Sequence, residues 1–415
     1  MMNRVLLKPL LFLFLITFTS GTCMKRLSKP KGMGFPEDFI PEGIGVNIHF
    51  SGAPAQDMSL INEAHIKLIR ADLTWAQIEK EKNKYDFSRY DKLMDACEKN
   101  GIRILFILDY QNRLYGEEKS IRGKEQRKGF ARFAGEAAKH FQGKGVMWEI
   151  WNEPNIAKFW GEEPNVDDYM KLLKVTSRAI RHAAPGAIIV APATCGCDGG
   201  FIEKCGKLGM MEIVDGVSVH PYREGGPESV LKSYNSLHKI IDKYKTRSKK
   251  RPRILSSEWG WGLPYLDIEV IGGKGAELRQ AAYLTRRFCT EALAGIACAI
   301  HYKWREDNHG LVRTNYSLKP SYRAFEILNE QLTGYSSDVS RLEMGDKEKD
   351  FILLFRGELG DKIVAWRTEG ESVIAIPLKR GKAKVIDFLG ETVDFRIEQD
   401  TLHLTIDGQP VFIGW

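Results

Sequence analysis

The sequence predicts an α/β fold, a (β/α)8 barrel followed by a small antiparallel β-sandwich domain, and three observations carry that expectation. Eight short runs rich in Ile and Val recur between residues 43 and 304, amphipathic helical stretches lie between them, and beyond about residue 335 short strands follow one another with no helical period. Alternating strands and helices call for a parallel sheet, because a parallel crossover needs a helix to carry the chain back to the starting edge.

The eight runs are Gly43 to Phe50, Ile66 to Asp72, Ile102 to Asp109, Val146 to Glu153, Ala187 to Ala193, Val214 to His220, Arg253 to Glu258 and Gly295 to Trp304. Tyr90 to Asn100 typifies the helices between them: Leu93, Met94 and Cys97 share one face, and Asn100 with Gly101 forms a stop. Val166 to Ala184, Ser229 to Tyr244 and Gly275 to Ala294 repeat the pattern. Such a series fits a closed barrel, which usually takes about 250 residues before insertions. A doubly wound open sheet would place a Gly-rich phosphate loop after its first strand, whereas this one ends on Asn47, Ile48, His49 and Phe50.

The C-terminal strands are expected at Phe351 to Phe355, Lys362 to Trp366, Ser372 to Ile376, Ala383 to Asp387, Val393 to Ile397 and Leu402 to Ile406. With few aromatics on show, this β domain reads as a buttress for the barrel in preference to a sugar-binding module.

The N-terminus has a different character. Arg4 and Lys8 precede the uncharged run Leu10 to Phe18, small residues follow at Thr19 to Thr22, and Cys23 comes next. The run is too short to span a bilayer, which takes roughly 20 residues, and has the layout of a signal peptide. The chain therefore divides into a signal peptide at 1–22, a linker at 23–35, the barrel at 36–335 and the β-sandwich at 336–415, and export is expected: periplasmic, extracellular or membrane-tethered. Cys23 resembles the lipidated cysteine of bacterial lipoproteins, and cleavage nearby without lipidation is the alternative. A lipid there would be the chain's sole tie to a membrane, and nothing in the sequence fixes an oligomeric state.

The 415 residues are 43% apolar and 28% charged, ordinary for a folded globular protein. Removing Arg4 and Lys8 with the signal lowers the formal charge from +7 to +5, and four of the remaining cations, Lys25, Arg26, Lys29 and Lys31, fall in the linker. A nearly neutral folded part without a concentrated basic patch argues against a nucleic-acid partner. Cys195, Cys197 and Cys205 form the one cysteine cluster. Its spacing lacks the paired ligands of a zinc site, so a loop disulfide or free thiols is the expected state.

Two strands end on glutamates. Val146 to Glu153 stops before Pro154, which cannot donate a ladder hydrogen bond, and Arg253 to Glu258 stops before Trp259. An ionised carboxylate is costly to bury, so both belong at a rim, and a parallel barrel opens every strand C-terminus on one face. Two carboxylates meeting there suit glycoside hydrolysis, where one protonates the leaving oxygen and the other attacks the anomeric carbon or activates water.

The segments Trp151 to Asn155 and Ser257 to Gly260 resemble the two signatures of clan A glycoside hydrolases, and the barrel with its β appendage is similar to the family 39 and family 5 branches. The resemblance implies Glu153 as acid/base, Glu258 as nucleophile and Asn152 as the partner of the substrate 2-hydroxyl. It extends to Ser218 to Tyr222 and Leu68 to Asp72, implying substrate-site roles for Arg70, His220 and Tyr222, and to Trp304 as the aromatic floor beneath the sugar. Tyr85 to Tyr90 and Gly101 to Tyr110 lean towards family 39, including bacterial endoglycosidases that cut exopolysaccharides. His49, Asp72 and Asp109 end strands on the active face and are candidate sugar contacts, with loop anchoring as the alternative; Trp261 is a further candidate contact, with a place in the core as its alternative.

Glu149, of the same parity as Glu153, is expected to pair with Arg70. No cofactor and no metal are implied. The expected enzyme is a retaining glycosidase acting on a β-linked oligo- or polysaccharide, with aromatics after strands three, four and seven (Tyr110, Tyr115, Trp160, Trp261, Tyr265) favouring endo action along a groove. The alternatives are a glycan-binding protein that kept the cleft and lost turnover, and a metal-dependent hydrolase, which His49 and His220 alone do not supply.

Overall fold

A computed structural model describes residues 34–415, apart from 248, 267, 358, 359 and 379–381; the side chains of 268–274, 336 and 337 are likewise outside the description. The expected signal peptide, Cys23 and most of the linker lie outside the described residues. Eight parallel strands close into a barrel in sequential order: β1 (Ile44–Ile48), β2 (Leu68–Thr74), β3 (Arg103–Asp109), β4 (Met147–Ile150), β5 (Ile188–Cys195), β6 (Gly216–His220), β7 (Arg253–Trp259) and β8 (Cys298–His301). The first pairs with the second and the eighth, which leaves no free edge.

Side chains of alternate residues point into the barrel, so each strand carries an inward column. On β2 the column reads Leu68, Arg70, Asp72, and on β6 Gly216, Ser218, His220, rising from apolar or small to polar. The floor is a dry cluster of Leu68, Leu105, Met147, Val190, Leu255, Cys298 and Ile300, with Phe35 packed against it. Gly216 leaves room for that packing, since a Cβ there would stand 2.4 Å from Leu255 Cδ1 and 3.0 Å from the Phe35 ring. On these two strands the polar groups are thus the upper ones, nearest the mouth.

Amphipathic helices cover the outside. Ser88–Asn100 buries Tyr90, Leu93, Met94 and Cys97 and ends at Gly101, whose φ of +63° suits glycine. Val166–Ala183, capped by the Asn165 side chain, and Val230–Tyr244 follow the predicted stretches closely, while Lys124–His140 fills the gap between β3 and β4.

Two strands end three residues before the sequence reading placed them. β4 stops at Ile150, three residues before Glu153, because Trp151 and Glu153 adopt left-handed backbone with φ of +71° and +48°. β8 stops at His301, which puts Tyr302 at the strand mouth and sends Trp304 down the outside.

The C-terminal part holds two antiparallel sheets. One contains β9 (Tyr335–Arg341), β10 (Asp350–Gly357), β11 (Gly360–Arg367), β13 (Lys384–Asp387) and β16 (Val411–Gly414), in the order β13-β16-β11-β10-β9; the other contains β12 (Ser372–Pro377), β14 (Arg396–Glu398) and β15 (Thr401–Ile406), in the order β12-β15-β14. Ile352, Ile363, Ile374, Leu402, Leu404 and Ile413 fill the space between them. Buried Glu228, on the loop after β6, joins this domain to the barrel by accepting from Arg286 at 2.8 and 2.9 Å and from the Trp366 indole at 2.7 Å.

Candidate active site

At the C-terminal mouth of the barrel, the Arg70 side chain organises everything around it. Its Nε donates to Glu149 Oε2 at 2.6 Å; Nη1 donates to Asn47 Oδ1 at 2.9 Å and Glu258 Oε2 at 2.8 Å; Nη2 donates to Asn152 Oδ1 at 3.0 Å and His220 Nε2 at 3.2 Å. A guanidinium has five N–H bonds and no acceptor, so every donor is committed and His220 Nε2 must offer a lone pair. The His220 proton then sits on Nδ1, which donates to Glu153 Oε1 at 2.7 Å. Burial works against the Arg70 charge, but Glu149 and Glu258 overcome it and raise its pKa above the ordinary value.

Glu258 lies within β7, beside a register shift between Ser256 and Trp259 that turns its side chain into the mouth. Its Oε1 accepts from the Tyr222 hydroxyl at 2.7 Å. Burial alone would raise the Glu258 pKa; the His220 ring, the Arg70 guanidinium and the hydrogen bonds from Tyr222 and Arg70 outweigh burial and hold the carboxyl below its ordinary value. The side chain remains 15% exposed, enough to be reached from the cleft.

Glu153 owes its position to the strained backbone after β4. Its N–H donates to Ala193 O at 3.0 Å, the Trp151 N–H donates to Leu108 O at 3.1 Å, and Ala193 too is left-handed with φ of +53°. Non-glycine residues rarely adopt that region, and where they cluster the surrounding structure must enforce it. Asn155 contributes by bracketing the Cys195 backbone, accepting from its N–H at 2.8 Å and donating to its carbonyl at 3.0 Å. The Cys195 thiol abuts Glu153, and burial first, then the charges of Glu153 and Glu258, push its pKa up to about 11.

One atom each of Glu153, His220 and Glu258 falls within 4.8 Å of the other two. A cation could span that distance, but both His220 nitrogens already have partners, so the ring has no free lone pair to offer one.

Glu153, Glu258, Asn152, Arg70, His220 and Tyr222 therefore lie together, as the sequence reading grouped them. The other candidates are placed differently. His49 stands at the rim, 3.5 Å from Asp72. Asp109 is 0% exposed, behind Asp72, and out of a ligand's reach. Trp304 is 1% exposed with its indole N–H donated to Asp57 at 2.8 Å, so it is a packing residue. Tyr302 stands at the mouth instead, packing edge-on against His49 at 5.5 Å and Tyr222 at 6.4 Å. Trp261 is 4% exposed, between Trp259 and Tyr283, and Trp160 is buried beside Trp151. Tyr110, after β3, and Phe159, after β4, are half-buried and stack at 6.1 Å. Cys195, Cys197 and Cys205 are free thiols. Tyr302 escaped the sequence reading because the apolar run continues to Trp304; Asp72 was visible there, but its exposure relative to Asp109 was not.

The sequence profile of the family described as "Cellulase (glycosyl hydrolase family 5)" matches residues 36–263 of the chain, more than half its length. A β-xylosidase from Geobacillus stearothermophilus is 34% identical over 92 residues, which cover 21% of this chain and 18% of that relative. The chain thus matches under a fifth of that relative's length. Among solved structures, a family 39 glycoside hydrolase from the gut symbiont Bacteroides cellulosilyticus WH2 superposes with a TM-score of 0.79 at 24% identity, covering 92% of this chain and 82% of that one. A family 39 β-xylosidase from Caulobacter crescentus gives 0.65 at 16% identity, covering 92% and 96%. At these identities the two superpositions establish a common fold.

Proposed function

The chain belongs to the glycosyl hydrolase family 5 cellulase family of clan A, and from that premise we propose that it is a retaining glycosidase that cleaves β-linked oligo- or polysaccharide by double displacement. Glu258, held ionised between Arg70 and Tyr222, attacks the anomeric carbon while Glu153 gives a proton to the leaving oxygen. In the second step Glu153 takes a proton from water, the water oxygen bonds to the anomeric carbon and the Glu258 ester breaks. Asn152 meets the 2-hydroxyl, and Tyr302 lies under the ring.

The approach of Glu153 to Glu258, within 4.8 Å, carries this reading, because about 5 Å leaves no room for the water that an inverting enzyme inserts. Tyr110 and Phe159 beyond Glu153 support a leaving group that is itself a sugar, hence endo action on a polymer. The N-terminal sequence supports work outside the cytoplasm.

Glu258→Ala is expected to abolish hydrolysis while melting as a folded protein, and an activated 2-fluoroglycoside should label Glu258. Turnover at the wild-type rate in that variant, or a label on another residue, refutes the assignment. A folded wild type that binds a broad glycan panel without releasing product would make the chain a glycan-binding protein. Loss of activity in EDTA would revive a metal mechanism.

A further inference from the structure

The arc formed by the ends of β1, β2 and β3 has no part in bond cleavage, yet it presents an acid and an imidazole to the cleft. Asp72 shares the inward column of Arg70 and is 34% exposed; His49, its neighbour on β1, is 47% exposed and holds Nδ1 3.5 Å from Asp72 Oδ2. The Tyr302 ring spans from His49 to Tyr222, which itself bonds Glu258, so the arc is continuous with the reaction centre. Behind Asp72, buried Asp109 turns its carboxyl towards the Asp72 carboxyl and the Thr74 side chain.

Resting on the retaining-glycosidase reading, we infer that Asp72, steadied from behind by Asp109 and flanked by His49, grips the C3 and C4 hydroxyls of the sugar whose bond is cleaved and so selects an uncharged sugar there. Two carboxyls in contact do not both ionise in a dry site, and the proton stays on the more deeply buried one. Burial and the Asp72 charge raise the Asp109 pKa well above the ordinary value, while Asp72, opposed by its own burial but helped by His49, Asp109 and Arg70, is lowered. The other titratable groups facing the pair are Tyr90, Tyr110 and Tyr302. The single negative charge therefore sits on Asp72, at the surface of the cleft. A carboxylate accepts from two neighbouring hydroxyls, and charge-assisted bonds of this kind are the strong ones. With C1 at Glu258 and the 2-hydroxyl at Asn152, the next hydroxyls around the ring face β3 to β1. The same charge repels a uronate.

The test uses the full chain and a panel of 4-nitrophenyl β-glycosides, including a β-glucuronide and 3-deoxy and 4-deoxy analogues of the best substrate. Asp72→Ala is expected to lose about 10- to 100-fold in kcat/KM on the parent glycoside, less than about threefold on the deoxy analogues, and to gain relative activity on the glucuronide. Asp72→Asn, close in shape, controls for folding and should show the same selective loss. Asp109→Asn keeps a donor towards Asp72 and should retain wild-type discrimination, whereas Asp109→Ala should lose it. Equal losses on parent and deoxy substrates, or unchanged kinetics in both Asp72 variants, overturn the inference. A folded wild type that turns over no glycoside overturns the glycosidase reading instead, and the two failures are distinct.

Discussion

Arg70 commits five N–H bonds to five acceptors drawn from β1, β4, the turn after β4, β6 and β7. Lysine has three donors on a point charge and cannot reproduce that fork. Arg70→Lys is therefore expected to lower kcat by roughly a thousandfold and to destabilise the chain by about 3 kcal/mol, because Glu149 is left without its partner in a dry interior; stopped assays and chemical denaturation check both. For Glu258 the sign of the pH effect follows from its lowered pKa: the stabilisation is present above the ordinary carboxylate pKa and is lost as pH falls through the folded value. Tyr222→Phe removes one cause of the lowering, so the acid limb of kcat/KM should move to higher pH. Asp109 has the opposite sign. Its raised pKa means the native state holds a proton that the unfolded state releases, so wild-type stability from this group declines as pH rises towards the folded value. The melting temperature of Asp109→Asn relative to wild type should increase with pH, and a difference that stays flat or falls would contradict the raised pKa. Glu153 and Glu258 were legible at this scale because a glutamate closing an apolar run is costly without a purpose. The order of Asp72 in front of Asp109 was not, since exposure depends on how far each strand rises into the mouth.

The turn after β4 shows why strand ends were the least legible elements. Trp151, Asn152 and Glu153 continue the apolar texture of Val146 to Ile150, yet two of the three are left-handed, a choice imposed by hydrogen bonds to Leu108 O and Ala193 O on neighbouring strands. No local propensity announces such contacts. Asn155 fixes this turn against β5 through two bonds to the Cys195 backbone. Asn155→Ala should lower kcat about tenfold while KM stays nearly constant, because a small shift of Glu153 affects proton transfer more than ground-state binding. At β8 the misreading had a simpler cause: Trp304 is the larger aromatic, but its indole is tied to Asp57 and Tyr302 inherits the opening.

Across the whole molecule, Glu228, Arg286 and Trp366 form a buried junction between barrel and β domain, with Arg286 also donating to Gly408 O at 3.3 Å. Within residues 336–415, β9 and β16 were not foreseen as elements; Tyr335 to Arg341 is mostly polar and gains its strand character by pairing with β10. Glu228→Ala leaves Arg286 buried without a counter-charge and should cost about 3–5 kcal/mol. Because Glu228 is on the loop that follows Tyr222, that variant should also slow catalysis, which a melting scan and a rate assay on the same sample would reveal. The saturation of Arg70 bears on how such a protein can change over generations. A substitution at any one of its partners strands a donor in a dry interior, so the centre can drift only by several simultaneous replacements. His49 and Tyr302, at the open rim, carry no such tie, and new sugar preferences can arise there while the bond-breaking machinery is inherited intact.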